Sequence, residues 1–590
     1  MLNNLVHLIK VEHVDDLPVL WVQIQKMRLP ALLDQFFPTH GLWKGELSFG
    51  EVVGVWLMFI TSQGDHCLSH VQPWVAERLD TLSACIGKPI RPLDFSDDRL
   101  ADLLDRLAEA EPWAALETAL NGVVLRVYDL GQSESPIRID STSAKTYAQV
   151  DPEGLFQLGH SKDHRPDLPQ VKINLSALDP LGLPLTTTVV SGQCADDPLY
   201  VPEIKQVQQT LGGGGNTYIG DSKMGALATR AWIAQSGDYY LCPLGGKQMP
   251  AATLDALLAR VWSGEQPLES IYAPNPAAPA APAAPAAPPV LLAEGYITVV
   301  NLEEPVSGQP VTWPERRLVV RSVALATQQS RRLDERLAQA QAQISVLNVR
   351  KQGKKLLDAA GLTAAAEQIL QHHRVGGLIH LDVQTTTHPV SRRRYRERPA
   401  GTQVKERSTI TPLIETTAIA VARQRLGWRV YATNQPTLTL AVAINAYRGQ
   451  FLIEGQFGRL KGRALSLTPL FLQSNDRVTG LIRLLSLALR VLSLVEWAVR
   501  RALASTASRI AGLYPWQANR STATPTAERI LRAFRGISLT VIEVAGHVCA
   551  FLSPLSRLQE HLLELLGGSI DLYEPLVAYS QESALNLSEL

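Results

Sequence analysis

The stretch Ala446-Tyr447-Arg448-Gly449-Gln450-Phe451-Leu452-Ile453-Glu454-Gly455-Gln456-Phe457-Gly458-Arg459-Leu460-Lys461 decides how the rest of the chain is read. As one α-helix turning about 100° per residue, it places Tyr447, Gln450, Glu454 and Lys461 within roughly 60° of one another. Leu452, Ile453, Phe457 and Leu460 supply apolar positions for packing. A phenol, an amide, a carboxylate and an ammonium in one stripe each need a partner if buried. Two readings meet that need: a wall that grips a polyanion and holds a metal, or a salt-bridged surface helix.

Immediately upstream, Trp428-Arg429-Val430-Tyr431-Ala432-Thr433-Asn434 reads as a strand leading into this helix. Further back, Ile137-Arg138-Ile139-Asp140 is a short alternating strand ending in an acid. Residues 171–175 and 184–190 flank the turn signal Asp179-Pro180-Leu181-Gly182 and predict a hairpin. Residues 202–211 predict a helix, and Thr217-Tyr218-Ile219 a strand running into Gly220-Asp221. Residues 226–236 predict a further helix and 238–244 a strand. Gly212 to Gly215 lacks a following Gly-Lys-Ser/Thr, which excludes a phosphate-binding loop of that type. The pattern is a mixed α/β sheet with acids at strand ends, where sites in open sheets gather.

With 590 residues the chain is long enough for two or more domains. Residues 1–130 read as a helical N-terminal domain, a candidate for DNA-end binding or dimerisation. Residues 131–260 form the first part of the sheet domain. Residues 261–425 form a β-containing insertion with a Pro/Ala-rich loop at 273–289. Residues 426–475 complete the sheet domain with the Glu454 helix, and 476–590 are a helical C-terminal region. Lys+Arg and Asp+Glu both total 56, so net charge names no partner. Its distribution does: the first hundred residues lean acidic and the segment 316–407 is basic. The five cysteines form no C-x-x-C pair, which argues against a zinc ribbon or disulfide framework and fits a reducing cytoplasm. The N-terminus carries no secretory signal pattern. The apolar run 481–499 is interrupted by Arg483, Arg490 and Glu496, so it reads as a buried helix and no membrane span is expected.

Asp140, Asp221 and Glu454 are the candidate catalytic and metal-binding residues. Three carboxylates can hold two hard cations such as Mg²⁺, with Mn²⁺ as the alternative ion. Two such ions about 3.5–4 Å apart stabilise the attacking and leaving oxygens of an in-line phosphoryl displacement. Glu415 is a rival third ligand without an accompanying aromatic and basic stripe. His160 and His164 have the i, i+4 spacing of a zinc pair, but no Glu follows the first, and a structured loop or DNA contact is the preferred reading. Arg392-Arg393-Arg394-Tyr395-Arg396 and the basic group at 350–355 are candidate phosphate contacts, with Tyr395 placed to stack on a base.

Ile139-Asp140-Ser141-Thr142, Ile219-Gly220-Asp221-Ser222-Lys223-Met224 and Tyr447…Ile453-Glu454…Phe457…Lys461 resemble the three signature blocks of DDE transposases from bacterial insertion sequences. The similarity is to the group with a Tyr-Arg-Glu-Lys signature around the third acid. Residues 159–168 and Ala432-Thr433-Asn434 are also similar to stretches of that group. The resemblance implies a ribonuclease-H-like mixed sheet interrupted by a β-rich insertion and flanked by helical regions. It also implies Mg²⁺-dependent cutting at element ends, DNA hairpin intermediates and joining to target DNA. Its partners would be the terminal inverted repeats, target DNA and a second copy of the chain. Tyr447 and Lys461 take the family's phosphate-contacting roles. Gln450 stands where the family has Arg, and Arg448 lies about 100° or more away around the helix. Tyr447, Gln450, Lys461, Arg448, Arg392, Arg393 and Arg394 are the DNA-binding candidates. A metal nuclease without strand transfer and an inactive DNA-binding remnant are the alternatives.

Overall fold

The computed structural model describes residues 6–39, 41, 43, 45–130, 135–273, 289–349, 356–393, 401–517, 519–544 and 547–580. The interior of the Pro/Ala-rich stretch, residues 350–355, and Arg394, Tyr395 and Arg396 lie outside them.

β1 (Val6–His13) precedes a run of helices: α1 (Leu17–Lys26), α2 (Leu29–Phe36), α3 (Phe49–Gln63), α4 (Leu68–Ala76), α5 (Leu79–Ile86), α6 (Asp97–Leu107) and α7 (Ala110–Val127). Next come β2 (Ile137–Lys145), β3 (Gln170–Leu178), β4 (Leu183–Ser191), α8 (Tyr200–Leu211), β5 (Thr217–Ile219), α9 (Leu227–Gln235), β6 (Tyr239–Pro243) and α10 (Ala251–Trp262). β7 (Glu269–Tyr272), β8 (Leu291–Val306) and β9 (Gln309–Ser322) lead to α11 (Val323–Val346), α12 (Ala359–His372), β10 (Ile379–Arg392), β11 (Gly401–Ile414) and α13 (Thr416–Gln424). β12 (Trp428–Thr433) returns the chain to α14 (Leu440–Arg448) and α15 (Phe451–Lys461). The last elements are α16 (Asn475–Ser505), α17 (Ala527–Arg532), β13 (Ser538–Val544), β14 (His547–Leu552) and α18 (Arg557–Leu565).

The protein is mixed α/β. Its central sheet has nine strands in the order β4-β3-β2-β5-β6-β12-β9-β8-β7. β2, β3 and β4 form an antiparallel meander. β5 runs parallel to β2, and β6 parallel to β5. β12 is antiparallel to both β6 and β9. The region 261–425 lies between β6 and β12 in sequence, and part of it joins the central sheet. β7, β8 and β9 extend the central sheet, because the buried Leu318-Val319-Val320 run of β9 pairs with the edge of β12 that β6 leaves open. The remainder, α11, α12, β10, β11 and α13, encloses its own small core of Leu333, Leu337, Ile344, Leu362, Ile379 and Ile410.

The terminal regions also differ from an all-helical reading. β1 pairs antiparallel with β13, and β13 with β14. The buried carboxylate of Glu12 on β1 accepts the Asp80 and Thr81 amides at the start of α5, at 3.1 and 2.8 Å. A negative charge suits those free N–H groups at a helix N-terminus.

Among the described residues α16 is the helix long and apolar enough to cross a bilayer, and it is mostly buried inside the protein. Its charges have partners. Arg490 donates from Nη2 to Glu117 Oε1 and to the Leu185 carbonyl, both at 2.8 Å. Arg483 Nη1 donates to the Leu107 carbonyl at 2.8 Å. A helix whose middle is buried nearly all round, with its inner arginines each anchored to neighbouring elements, forms the centre of a core.

Asp16, just before α1, is buried beside Ser62, whose hydroxyl donates to Oδ1 at 2.7 Å. Burial pushes its carboxyl up to about 7, against the opposing Ser62 hydrogen bond. The folded state therefore holds this proton more tightly than the unfolded chain. The resulting stability is fully present below the unfolded value and is lost as pH rises through the folded one. Asp16→Asn is expected to flatten the fall in stability between about pH 4 and about pH 7, read by urea unfolding. A pH dependence identical to wild type would reject the assignment.

Candidate active site

β2 and β5 are parallel neighbours, with Ile137 level with Tyr218 and Arg138 level with Ile219. The same offset, continued past the end of β5, brings Asp140 level with Asp221. β5 stops at Ile219 while β2 runs on to Lys145. A notch therefore opens beside β2 at the carboxyl end of β5, and the two acids flank it. Asp140 is mostly buried, and burial raises its carboxyl above the ordinary range. The Asp221 charge adds to that rise, while Lys162 and the Ser141 amide oppose it.

Lys162 fills part of the notch. Its Nζ lies 3.3 Å from Asp140 Oδ1 and 3.0 Å from Ser141 Oγ, and it donates to the Ser141 carbonyl. Ser141 Oγ in turn donates to Asp196 Oδ1 at 2.7 Å, and Lys172 Nζ lies 2.9 Å from the same oxygen. Burial works to raise Asp196, but Lys172, Ser141 and Lys162 outweigh it and hold the carboxyl low. From α8, Tyr200 donates its hydroxyl to Asp221 Oδ1 at 2.8 Å, and the Lys223 amide donates to the same oxygen at 2.8 Å. Burial, then the charges of Asp221 and Asp140, drive the Tyr200 phenol well up, so it stays a donor. Among the described contacts, Oδ2 of Asp140 and Oδ2 of Asp221 accept no hydrogen bond.

The stretch 446–461 is not one helix. It breaks at Gly449-Gln450 into α14 and α15. The cause lies beneath it. Arg138, buried on β2, clamps Asp179 with two hydrogen bonds of 2.7 and 2.6 Å and donates from Nη2 to the Ala446 carbonyl at 2.7 Å. A Cβ at residue 449 would stand 2.3 Å from that guanidinium nitrogen, so only glycine passes over it. Gly449→Ala is expected to force the helix pair off Arg138 and lower stability by about 1–3 kcal/mol, as overpacking does. Urea unfolding measures this, and an unchanged midpoint would contradict it.

Beyond the break, Ile453 and Phe457 pack on Leu175 and Ala177 of β3. Asp140 pairs directly with Leu175, so its side chain leaves the sheet on the face that α15 covers. At the far end of α15, Lys461 Nζ donates to the Ser143 carbonyl at 3.3 Å and to Asp163 Oδ1 at 2.6 Å. Ala446 is tied to Arg138 and Lys461 to Ser143, so the helix pair runs alongside β2 in the same direction. Glu454 lies about midway between these ties, near the level of Asp140 and Ser141. It shares the Lys461 side of α15, about 20° away around the axis. Glu454 is solvent-exposed and makes no hydrogen bond or ion pair among the described residues.

Tyr447 does not join that stripe. It packs against Tyr431, with ring centroids 4.7 Å apart and the planes tilted by 59°. Burial, then Tyr431, raises its phenol, and the nearby Asp221 charge contributes. Gln450 precedes α15 with Oε1 buried and unpartnered, and Arg448 is exposed at the end of α14. His160 and His164 sit in an irregular loop, both exposed, so their spacing is not that of a helical zinc pair. Glu415 is exposed before α13, in the part of the chain with its own core. Arg392 and Arg393 are exposed at the end of β10. Tyr200 and Arg138 were not singled out by sequence reasoning, and Lys162 entered only within the 159–168 stretch.

The donors suit a hard divalent ion: carboxylate oxygens, with one oxygen of each aspartate free of protein donors. The structure brings Asp140 and Asp221 together. No group of three His, Cys, Asp or Glu side chains among the described residues forms a metal-binding cluster, so Glu454 flanks the pair without joining it. Compared with known proteins, the chain matches no family model and no curated protein.

Proposed function

We propose that the chain is a DNA transposase that cuts the ends of a mobile element and joins them to target DNA by metal-assisted phosphoryl transfer. The observation that carries this reading is the placement of Asp140 on β2 level with Asp221, two residues past the end of the parallel neighbour β5, each with a free carboxylate oxygen. The order β4-β3-β2-β5-β6, an antiparallel meander followed by two parallel strands, supports a ribonuclease-H-like core. The run of α15 beside β2 supports Glu454 as the third acid. Lys461 of α15 and residues outside those elements would supply DNA contacts, and a cytoplasmic location fits five unpaired thiols.

Mg²⁺ bound at this site would activate water or a 3′-hydroxyl and stabilise the departing 3′-oxygen. Asp140, Asp221 and Glu454 would hold it. Tyr200 holds Asp221 by its Oδ1 and leaves Oδ2 for the ion. Lys162 balances the charge of Asp140, and Lys461, held by Asp163, is positioned to exchange that carboxylate for a DNA phosphate.

The test is to incubate the full chain with Mg²⁺, DNA carrying the sequences that flank its reading frame, and a target plasmid. Covalently joined products support a transposase. Cleavage without joining would favour a plain nuclease, and binding without cleavage an inactive remnant.

A further inference from the structure

β10 and β11 pair without interruption from Ile379 opposite Ile414 to Arg392 opposite Gly401. Only the base of this ribbon is packed. Ile379 and Ile410 are buried against α11 and α12, with Leu381 and Val383 partly covered beside them. Every residue of 384–393 and 401–407 is exposed. A two-stranded ribbon is marginal in water without a surface to cover it.

Strand alternation divides the free part into two unlike faces. The pairings His388–Lys405, Thr386–Arg407 and Arg392–Gly401 put three permanent cations and a histidine on one face. No Asp or Glu shares that face between Thr386 and Arg392 or between Gly401 and Arg407. Glu406, paired with Thr387, points to the other side. At the base, the face of Ile379, Leu381 and Val383 is the one packed on the helices. The cationic face is therefore the one turned away from them. Among the described residues, Arg392, Lys405 and Arg407 have no carboxylate partner.

We propose that the cationic face of the β10–β11 ribbon is a docking surface for duplex DNA, laid along the phosphates of a groove. The B-form major groove, about 12 Å wide, admits a two-stranded ribbon. Its charge matches phosphate, and its described part carries no Phe, Tyr or Trp to stack on unpaired bases, as single-strand binders do. The choice of DNA rests on the transposase reading; the choice of this face does not.

The experiment uses the full chain and a fluorescein-labelled duplex of about 30 base pairs, titrated by anisotropy from about 50 to about 200 mM salt. The same strand unpaired is the second probe. The triple variant Arg392→Gln/Lys405→Gln/Arg407→Gln is expected to bind the duplex at least about tenfold more weakly at the lowest salt. The slope of log K against log salt should flatten by about 0.9 for each phosphate contact removed. Thr387→Gln/Glu406→Gln, on the opposite face, should leave the slope unchanged. All five positions are exposed, so an unchanged melting curve checks that folding is intact. An unaltered slope in the triple variant, an equal effect from the opposite face, or tighter binding of the single strand would overturn the ribbon assignment. Failure of the wild type to bind either probe would instead overturn the DNA reading as a whole.

Discussion

Replacing Asp221 by Asn is expected to lower Mg²⁺-dependent strand cleavage by on the order of 10³-fold or more, since a ligated divalent ion supplies several kcal/mol of transition-state stabilisation. The change is nearly isosteric. Tyr200 can still donate to the remaining carbonyl oxygen, so the notch keeps its shape. DNA affinity should stay the same or rise slightly, because a negative charge facing phosphate is removed. Asp140→Asn should behave alike, with the additional release of Lys162 from its carboxylate. The measurement is single-turnover nicking beside anisotropy binding on the same preparation. Cutting retained by either variant would remove these acids from the chemistry.

Arg138→Met should produce the second large effect, a loss of about 3–5 kcal/mol of stability, because one member of a buried ion pair is deleted while the other stays behind. Asp179, whose carboxyl is already raised by burial against the pull of Arg138, would be stranded, and the Ala446 carbonyl would lose its donor. The helix pair that carries Glu454 would lose its anchor at the same time, so nicking should fall along with stability. Adding Asp179→Asn should restore part of the stability and none of the nicking. A double-mutant cycle by urea unfolding separates these terms. An Arg138→Met protein with wild-type stability would show that the clamp is unimportant.

Much of the sheet was legible because its signals are local. Asp140 sits on a strand, and Asp221 just past the end of one, that alternation and flanking turns announce, and the β3–β4 hairpin is marked by its turn residues. The burial of α16 followed from charges too sparse for a surface and too many for a lipid-facing span. The break at Gly449-Gln450 was invisible, since the periodicity of 446–461 fits one helix and the guanidinium beneath it comes from residue 138. Tyr200 and Lys162 were missed as site residues for the same reason: neither has a local signature, and each acquires its role only through a carboxylate that the fold brings to it. The pairing of β1 with β13 escaped because these two strands are more than five hundred residues apart in sequence. The joining of β7, β8 and β9 to the central sheet escaped because a strand's neighbours are not written in its own sequence.

The pairing of β1 with β13 has a consequence for how the protein is made. During translation at about 5–20 residues per second, roughly half a minute to two minutes separates emergence of the first strand from that of its partner. Over that interval the backbone groups of residues 6–13 must be served by water, a chaperone or a temporary mate. The clasp between residues 6–13 and 538–544 can close only after the second of these strands has emerged.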